Sequence, residues 1–181
     1  MKLAKGTFQG LAESEVELFR THLKGVSGIG VEIGCCDGYS SAVILDASDL
    51  HLISIDPFIP DSMEPSLIGS RDRYIENTEP WASRRRLHCA YSKDIGPSAQ
   101  LDFLFIDGDH TYEGCLFDLK HWGIVLKQGG LLAMHDARMM RPGGAPFHPG
   151  PSRVAEERVF ANPLEWEILG EAFSLVIARK K

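Results

Sequence analysis

The chain has 181 residues, of which 44% are hydrophobic and 24% charged, the composition of an ordinary folded domain with one core. Its formal net charge of -6 argues against a nucleic-acid partner, because proteins that bind nucleic acids carry basic surfaces that neutralise phosphates. No apolar run approaches the roughly 18 residues that cross a bilayer, and residues 1–10 contain no recognisable signal peptide. We therefore expect no membrane partner and a cytoplasmic location.

Short apolar runs alternate along the chain with segments of helical character. These segments predict helices over residues 11–24, 39–47, 71–79, 112–126 and 152–161. The apolar runs predict strands over residues 29–34, 51–56, 86–90, 101–107, 131–136, 166–170 and 173–179. Only Glu171 and Ala172 separate the last two strands, a connection that allows a hairpin but no parallel crossover. The order predicts a single α/β domain: a doubly wound, mainly parallel seven-stranded sheet with an antiparallel C-terminal strand and helices on both faces.

Two stretches flank or interrupt this pattern. Residues 1–27 form an N-terminal helical segment ahead of the first strand. Residues 137–151 contain four prolines and three glycines, which predict a long loop. A loop after a strand can cover a site as a lid, and it can equally be unstructured. As a lid, it would bring over the site Met139, Met140, Phe147 and His148.

The first predicted strand ends in a glycine turn with the sequence VEIGCCDGYSS. Glu32 lies in the strand, and Gly34 and Gly38 flank the turn, where glycines let a ligand approach the backbone and the next helix offers unpaired N–H groups. Asp56 ends the second strand, 22 residues beyond Gly34, which suits a carboxylate that accepts hydrogen bonds from ribose hydroxyls. The two strand ends predict a site for a nucleotide-like cofactor, although a plain strand–turn–helix is the alternative.

The chemistry of the turn distinguishes between nucleotide cofactors. A nicotinamide dinucleotide requires the pattern GxGxxG, which Cys35, Cys36 and Asp37 interrupt, and the Asp37 carboxylate would repel a pyrophosphate. A cofactor that has no phosphate and carries a cationic amino-acid end tolerates both Glu32 and Asp37. The turn therefore favours S-adenosylmethionine over NAD.

Four segments resemble, in order and spacing, the class I methyltransferases of the small-molecule O-methyltransferase type: VEIGCCDGYSSAVIL, HLISIDPF, LDFLFIDGDHTYEGCLFDLKHW and GGLLAMHD. The resemblance covers about residues 28–136, includes a DGDHxYE motif and implies a Rossmann-like fold. It also implies a set of residues that bind S-adenosylmethionine, with Asp56 on the ribose, Tyr91 and Ser92 beside the adenine, and Asp107 near the methyl group. The full set is Glu32, Gly34, Cys35, Cys36, Asp37, Gly38, Tyr39, Ser40, Asp56, Tyr91, Ser92 and Asp107. Cys35, Cys36 and Asp37 depart from the small residues common at the turn, which would narrow the pocket.

The same resemblance raises the question of a metal. Catechol-type relatives hold a divalent cation with an acidic residue after strand four and a pair after strand five, and the matching residues here are Asp107, His135 and Asp136. His135 stands where a carboxylate is usual, and an imidazole suits zinc, iron or nickel better than magnesium. The metal-free alternative uses a general base, for which His110 is the first candidate and His135 the second. A structural role is the alternative for each.

The remaining histidines have no supporting context and are interpreted as surface or packing residues: His22, His51, His88, His121 and His148. The sequence thus predicts an S-adenosylmethionine-dependent enzyme that methylates a hydroxyl of a small molecule, such as a sugar or a natural-product intermediate. A nicotinamide-dependent oxidoreductase and a non-catalytic S-adenosylmethionine-binding protein are the alternatives. The identity of the acceptor and the choice between oxygen and nitrogen stay open, and a homo-oligomer that completes the pocket is possible for so short a chain.

Overall fold

The computed structural model describes residues 2–60, 65, 68–138 and 148–181. The strands are β1 (Ser27–Ile33), β2 (Asp49–Ile55), β3 (Arg85–His88), β4 (Leu101–Ile106), β5 (Leu126–Met134), β6 (Trp166–Ala172) and β7 (Leu175–Lys180). The helices are α1 (Glu13–Leu23), α2 (Tyr39–Ala47), α3 (Arg71–Asn77), α4 (Tyr112–Gly123) and α5 (Pro149–Ala155), and a π-helical turn, Glu156–Phe160, follows α5. No helix in these ranges is both long and apolar enough to span a membrane.

The strands form a seven-stranded sheet in the order β3-β2-β1-β4-β5-β7-β6. The pairs among β1 to β5 are parallel, whereas β7 runs antiparallel to both β5 and β6. This arrangement confirms the predicted mainly parallel sheet with an antiparallel C-terminal strand. The strand order reverses between β1 and β4, and in such sheets ligands bind beside the carboxyl ends of the strands at that reversal.

Helices cover both faces of the sheet, as predicted, because successive side chains of a strand point to opposite faces. In β4, Phe103 and Phe105 contribute to the core beneath α1 and α2, while Leu104 and Ile106 contribute to the core beneath α4 and α5. Phe19 of α1 contacts both phenylalanines edge-to-face, with ring centroids 6.3 and 5.2 Å apart. Edge-to-face contacts add to the stability that burial of the rings provides.

Several predicted boundaries are wrong. Helix α4 ends at Gly123 and β5 begins at Leu126, so the pair 129–130 lies within an irregular part of β5. The turn between β6 and β7 is formed by Phe173 and Ser174. Helix α5 begins at Pro149, inside the predicted loop 137–151, because proline is suited to the first turn of a helix. Of the residues predicted to lie over the site as a lid, Met139, Met140 and Phe147 lie outside the described residues.

Candidate active site

A cavity of about 670 Å³ opens where β1, β2, β4 and β5 end, within the size range of small-molecule sites. Among the residues predicted to bind the cofactor, all except Glu32 and Gly38 line this cavity: Gly34, Cys35, Cys36, Asp37, Tyr39, Ser40, Asp56, Tyr91, Ser92 and Asp107. The predicted catalytic and metal-binding residues line the same cavity: Asp107, His110, His135 and Asp136. The predicted cofactor-binding residues and the predicted catalytic or metal-binding residues therefore line the same cavity.

At each end of the glycine turn, the backbone has a positive φ, a conformation that only glycine adopts easily. Gly34 has a φ of +82°, and a side chain there would collide with the backbone carbonyl of Asp107. Gly38 has a φ of +79°, and a Cβ atom there would lie 3.0 Å from the Cα atom of Tyr74. Between them, Cys36 has a φ of +47°, which costs a residue with a side chain about 1 kcal/mol. The turn is thus pressed against β4 on one side and α3 on the other.

Asp56 holds the glycine turn through its carboxylate. Oδ2 accepts hydrogen bonds from the backbone N–H groups of Cys35 and Cys36 at 2.9 and 2.8 Å. Oδ1 accepts one from the N–H of Phe58 at 2.6 Å. A pyrophosphate at this turn would compete for the same N–H groups and would be repelled by the carboxylate. Oδ1 has a further lone pair, so Asp56 can also accept a hydrogen bond from a ribose hydroxyl through this oxygen.

Glu32 does not line the cavity and is fully buried below it. Its carboxylate accepts hydrogen bonds from the hydroxyls of Ser40 (2.6 Å), Ser54 (2.8 Å) and Ser41. Burial raises the pKa of Glu32 from 4.5 to about 7, and the three hydroxyl donors oppose that rise. Glu32 therefore connects β1 with β2 and with the start of α2. These hydrogen bonds hold the elements below the cavity together.

The carboxylate of Asp37 also has its partners within the protein. Asp37 is buried, and its carboxylate accepts hydrogen bonds from the backbone N–H groups of Phe8 and Ser70 at 2.9 and 2.8 Å. The Nε atom of Arg73 lies 2.9 Å from the same carboxylate, so the charge already has a cationic partner. Asp37 fastens residues 8–11 along one wall of the cavity, where Phe8, Gly10 and Leu11 line it.

The adenine region predicted from Tyr91 and Ser92 includes a carboxyl group that the sequence patterns did not reveal. The Ser92 hydroxyl donates a hydrogen bond to Asp118 of α4, which lines the cavity and is almost fully buried. Burial raises the pKa of Asp118 from 3.8 to about 6. Asp118 lies on the same face of α4 as Cys115, Leu119 and Trp122, so its helical spacing was the available signal.

Two histidines and two carboxylates meet at the opposite end of the cavity. The Nε2 atom of His110 lies 3.1 Å from Oδ2 of Asp136. The Nδ1 atom of His135 lies 3.2 Å from Oδ1 of Asp107 and 3.4 Å from Oδ2 of Asp136. Asp136 has a φ of +54°, a strained backbone of the kind found at functional sites. The structure thus brings together the four residues that the sequence predicted for catalysis or metal binding.

The carboxylates around His135 favour its charged form. Burial lowers the pKa of His135, but the charge of Asp107 and hydrogen bonds with Asp107, Asp136 and Glu15 raise it well above its ordinary value of 6.5. Burial raises the pKa of Asp136, but hydrogen bonds with His110 and His135 outweigh that effect and lower it. The carboxylates of the cluster therefore favour the imidazolium form of His135.

His148 belongs to the same cluster: it is buried and lines the cavity, so it lies at the site, where the lid prediction placed it, and not on the surface. Its ring stacks on that of His110 with the centroids 4.3 Å apart, and its Nε2 atom lies 3.8 Å from Oδ2 of Asp136. The contact arises because α5 begins directly against the loop after β4, where a side chain at Gly150 would collide with the backbone of His110.

The sequence profile of a family described as a methyltransferase domain matches residues 31–137. The chain belongs to this methyltransferase family. The matched range contains the glycine turn, Asp56 and the residues Asp107, His110, His135 and Asp136, and it excludes His148. A search of curated proteins found no match.

Solved methyltransferase structures share the fold. The O-methyltransferase NovP has a TM-score of 0.68 and 19% identity, covering 93% of this chain and 80% of its own. The O-methyltransferase TomG from Streptomyces achromogenes, involved in tomaymycin synthesis and solved with S-adenosylmethionine, has a TM-score of 0.66 and 16% identity over 95% of this chain and 82% of its own. The N-methyltransferase NodS from Bradyrhizobium japonicum WM9 has a TM-score of 0.56 and 17% identity over 92% of this chain and 91% of its own. Both acceptor chemistries thus occur on this fold.

The acid–base cluster of this methyltransferase offers two groups of metal donors among the described residues. One is the predicted set of Asp107, His135 and Asp136, and the other combines Asp136 with His110 and His148. Within each group the donor atoms lie within 4.8 Å of one another. Mixed imidazole and carboxylate donors suit zinc, iron or nickel better than magnesium, which prefers oxygen donors. The residues therefore fit a borderline transition-metal ion.

Proposed function

We propose that this methyltransferase takes its methyl group from S-adenosylmethionine and transfers it to a hydroxyl of a small molecule. The observation that carries the proposal is that the glycine turn and the His110–Asp136 pair line one cavity. A cofactor at the turn and an acceptor at the pair would then be neighbours, and alignment of the two is the main requirement of methyl transfer.

The charges around the cavity support S-adenosylmethionine as the cofactor. Among the described lining residues, Lys93 is the only lysine or arginine, whereas the carboxylates include Asp56, Asp107 and Asp109. A sulfonium and an amino group are stabilised in such surroundings, and a pyrophosphate is not. The nicotinamide-dependent alternative is disfavoured on this ground and by the hydrogen bonds that Asp56 makes at the glycine turn.

The base in this proposal is His110. The carboxylates around His135 raise its pKa and favour its protonated form, so it is the weaker candidate for the base and serves instead as a cation beside Asp107. His110 is oriented by Asp136, as an orienting carboxylate commonly holds a catalytic imidazole. His110 takes the proton of the acceptor hydroxyl while that oxygen bonds to the methyl carbon. The bond between carbon and sulfur breaks, and S-adenosylhomocysteine leaves as a neutral thioether.

A divalent cation is a second route to the same reaction, favoured by the two donor groups around Asp136. Asp107 and Asp136 would hold it together with His135, once the His135 imidazole has released its proton, and a bound cation would lower the pKa of the acceptor hydroxyl. An assay with EDTA followed by single metals separates the routes. Activity that survives EDTA supports His110 as the base, and activity that returns only with zinc, iron or nickel supports the cation.

The cofactor is tested by calorimetric titration with S-adenosylhomocysteine and, separately, with NADH. The proposal expects saturable binding of S-adenosylhomocysteine at one site and no binding of NADH, and the reverse result would refute it. Catalysis is tested by incubation with S-adenosylmethionine and a panel of phenols, sugars and amines, with methylated products identified by mass spectrometry. Cofactor binding without any methylated product across the panel would favour the non-catalytic alternative.

A neutral small acceptor agrees with the net charge of -6 and with the carboxylates around the cavity, since both disfavour a nucleic-acid acceptor. The single-domain organisation, the cytoplasmic location, the lack of a membrane partner and a homo-oligomeric state stay predictions.

A further inference from the structure

Glu15 is a fully buried carboxylate on α1 that the proposed reaction has not used. It accepts hydrogen bonds from the backbone N–H of Ala12 at 2.7 Å and from the N–H and hydroxyl of Ser174 at 3.0 and 2.8 Å. Both of its oxygens also lie 3.4 Å from Nε2 of His135. One carboxylate thus contacts the start of α1, the β6–β7 turn and the end of β5.

The hydrogen bond from the backbone N–H of Ala12 does not by itself explain why Glu15 is buried. A glutamate at the third position of a helix can bond the N-cap backbone from the surface, where its charge remains hydrated. Complete burial of a carboxylate is costly unless other groups replace the water. Here Ser174 and His135 replace it, and both belong to elements far from α1 in the sequence. The burial of Glu15 therefore ties α1 to the acid–base end of the cavity.

The β6–β7 turn that Glu15 holds carries an aromatic ring at the rim of the cavity. Phe173 lines the cavity, its side chain is 63% exposed, and its backbone φ is +50°. A bulky residue in that conformation costs about 1 kcal/mol, and an exposed ring recovers little by burial. Backbone strain of this kind tends to occur at functional sites. Glycine would suit the turn better, so the ring needs a reason other than folding.

We propose that Glu15 is a positioning residue of the transfer reaction and that Phe173 is a specificity-determining residue for the acceptor. Glu15 fixes the ring of His135 through Nε2, which leaves Nδ1 directed at Asp107 and Asp136. Through Ser174 it also holds Phe173 beside the same end of the cavity. The acceptor class that this ring fits is a hydroxylated molecule with a flat apolar face, such as a phenol or the apolar face of a sugar. This inference rests on the proposed methyl transfer.

The substitution Glu15→Gln tests the positioning role, because it keeps the size of the side chain and removes its charge. We expect kcat to fall roughly 10- to 100-fold, the effect of losing a hydrogen bond to a charged group, while the Kd of S-adenosylhomocysteine changes less than twofold. Glu17→Gln on the same helix is the matched control, because Glu17 is exposed and pairs with Arg20. A purely structural Glu15 would lower the thermal midpoint and leave the kcat of the folded variant unchanged, which would overturn the proposal.

A readout that needs no acceptor separates failure of this inference from failure of the proposed function. Ring signals of His135 in ¹⁵N NMR spectra should shift in Glu15→Gln and remain in place in Glu17→Gln. Unchanged His135 signals in both variants would overturn the positioning role even if the wild-type enzyme methylates its acceptor. Conversely, a wild-type protein that binds no S-adenosylhomocysteine overturns the proposed function, whatever the NMR spectra show.

Phe173→Gly tests the acceptor contact. Because glycine relieves the strained φ and the ring is largely exposed, the thermal midpoint should stay equal or rise. We expect the KM for the acceptor to rise at least about tenfold, the usual effect of losing an aromatic contact, with the Kd of S-adenosylhomocysteine unchanged. Leu164→Ala, which removes a 90% exposed apolar side chain outside the cavity lining, is the control. Phenol and sugar acceptors measured in parallel identify the acceptor type, and an unchanged KM for every acceptor would refute the role of Phe173.

Discussion

The two ends of the cavity are built in different ways. The end that would bind the cofactor is the turn between Gly34 and Gly38, which is continuous in sequence. The shape of this cofactor end comes from its backbone conformation and from the hydrogen bonds that its N–H groups donate to Asp56. The other end holds the His110–Asp136 pair and is the transfer end in the proposed function. Side chains converge there from five separate places: α1, the loop after β4, the end of β5, the β6–β7 turn and the start of α5.

Because of this difference, the two ends of the cavity should tolerate different substitutions. A site shaped by backbone is sensitive to added atoms and, apart from the Asp56 carboxylate that holds the turn, tolerant of changes in side-chain chemistry. A site assembled from buried charges is sensitive to the loss of one partner, because the charge left behind is desolvated and unpaired. Cofactor binding and transfer should therefore fail separately when the two ends are altered separately.

The largest effect is expected for Gly34→Ala. The added methyl group meets the backbone of Asp107, and the left-handed φ adds its own cost, so we expect a loss of about 3 kcal/mol in stability and no measurable binding of S-adenosylhomocysteine. Gly129→Ala is the matched control, because Gly129 has a φ of +81° and a methyl group added there would meet no atom within 4 Å. That control should lose only about 1 kcal/mol and keep its binding. Equal effects of the two substitutions in urea denaturation and calorimetry would contradict a turn shaped by close backbone contact.

The next effect is expected for His110→Ala. Removal of a general base lowers kcat roughly 100- to 10,000-fold, and the Kd of S-adenosylhomocysteine should change less than about twofold. His51→Ala, on the exposed surface of β2, is the control and should leave both quantities unchanged. Steady-state kinetics and calorimetry on the same preparations provide the measurement. A kcat within threefold of wild type would remove His110 from the chemistry.

Glu32 gives a prediction about pH and stability. Its pKa is 4.5 in an unfolded chain and about 7 in the folded protein. The unfolded state therefore releases its proton first as the pH rises, so stability that is fully present below pH 4.5 is lost progressively up to about pH 7. The loss is on the order of 3 kcal/mol. In Glu32→Gln, urea denaturation should show a flatter dependence on pH, while Glu17→Gln should keep the wild-type slope. Identical slopes in Glu32→Gln and wild type would contradict a buried, titrating Glu32.

The smallest effect is expected for Cys36→Gly. Glycine relieves the φ of +47° but increases the freedom of the unfolded chain, so stability should change by less than about 1 kcal/mol. The substitution retains the backbone N–H that donates a hydrogen bond to Asp56, so the Kd of S-adenosylhomocysteine should stay within about twofold of the wild-type value. Asp56→Asn serves as the sensitive counterpart and should weaken binding. A tenfold loss in Cys36→Gly would show that the thiol itself contacts the cofactor.

The same difference between the two ends decides what the sequence could predict. Glycines beside a strand end and Asp56 at the next one predict the proposed cofactor turn, because local geometry leaves few alternatives. The sequence could not reveal that Asp37 is paired with Arg73 or that Glu32 supports the turn from below, since both depend on packing.

At the transfer end, sequence separation hid the residues that the motifs do not contain. Asp107, His110, His135 and Asp136 follow two strands and were predictable as a group. Glu15, Phe173 and His148 reach the cluster only through the packing of α1, the β6–β7 turn and α5. The sheet itself was predictable from apolar runs, whereas the end of α4 was not, because residues 124–126 are apolar in either a helix or a strand.

One calorimetric experiment tests the division of the cavity most directly: titration of wild-type and His110→Ala protein with S-adenosylhomocysteine under the same conditions. We expect saturable binding at one site in both proteins, with Kd values within about twofold, although His110→Ala has lost turnover. Binding by neither protein would contradict the cofactor assignment. Binding by the wild type that His110→Ala weakens tenfold or more would contradict the separation of cofactor binding from transfer.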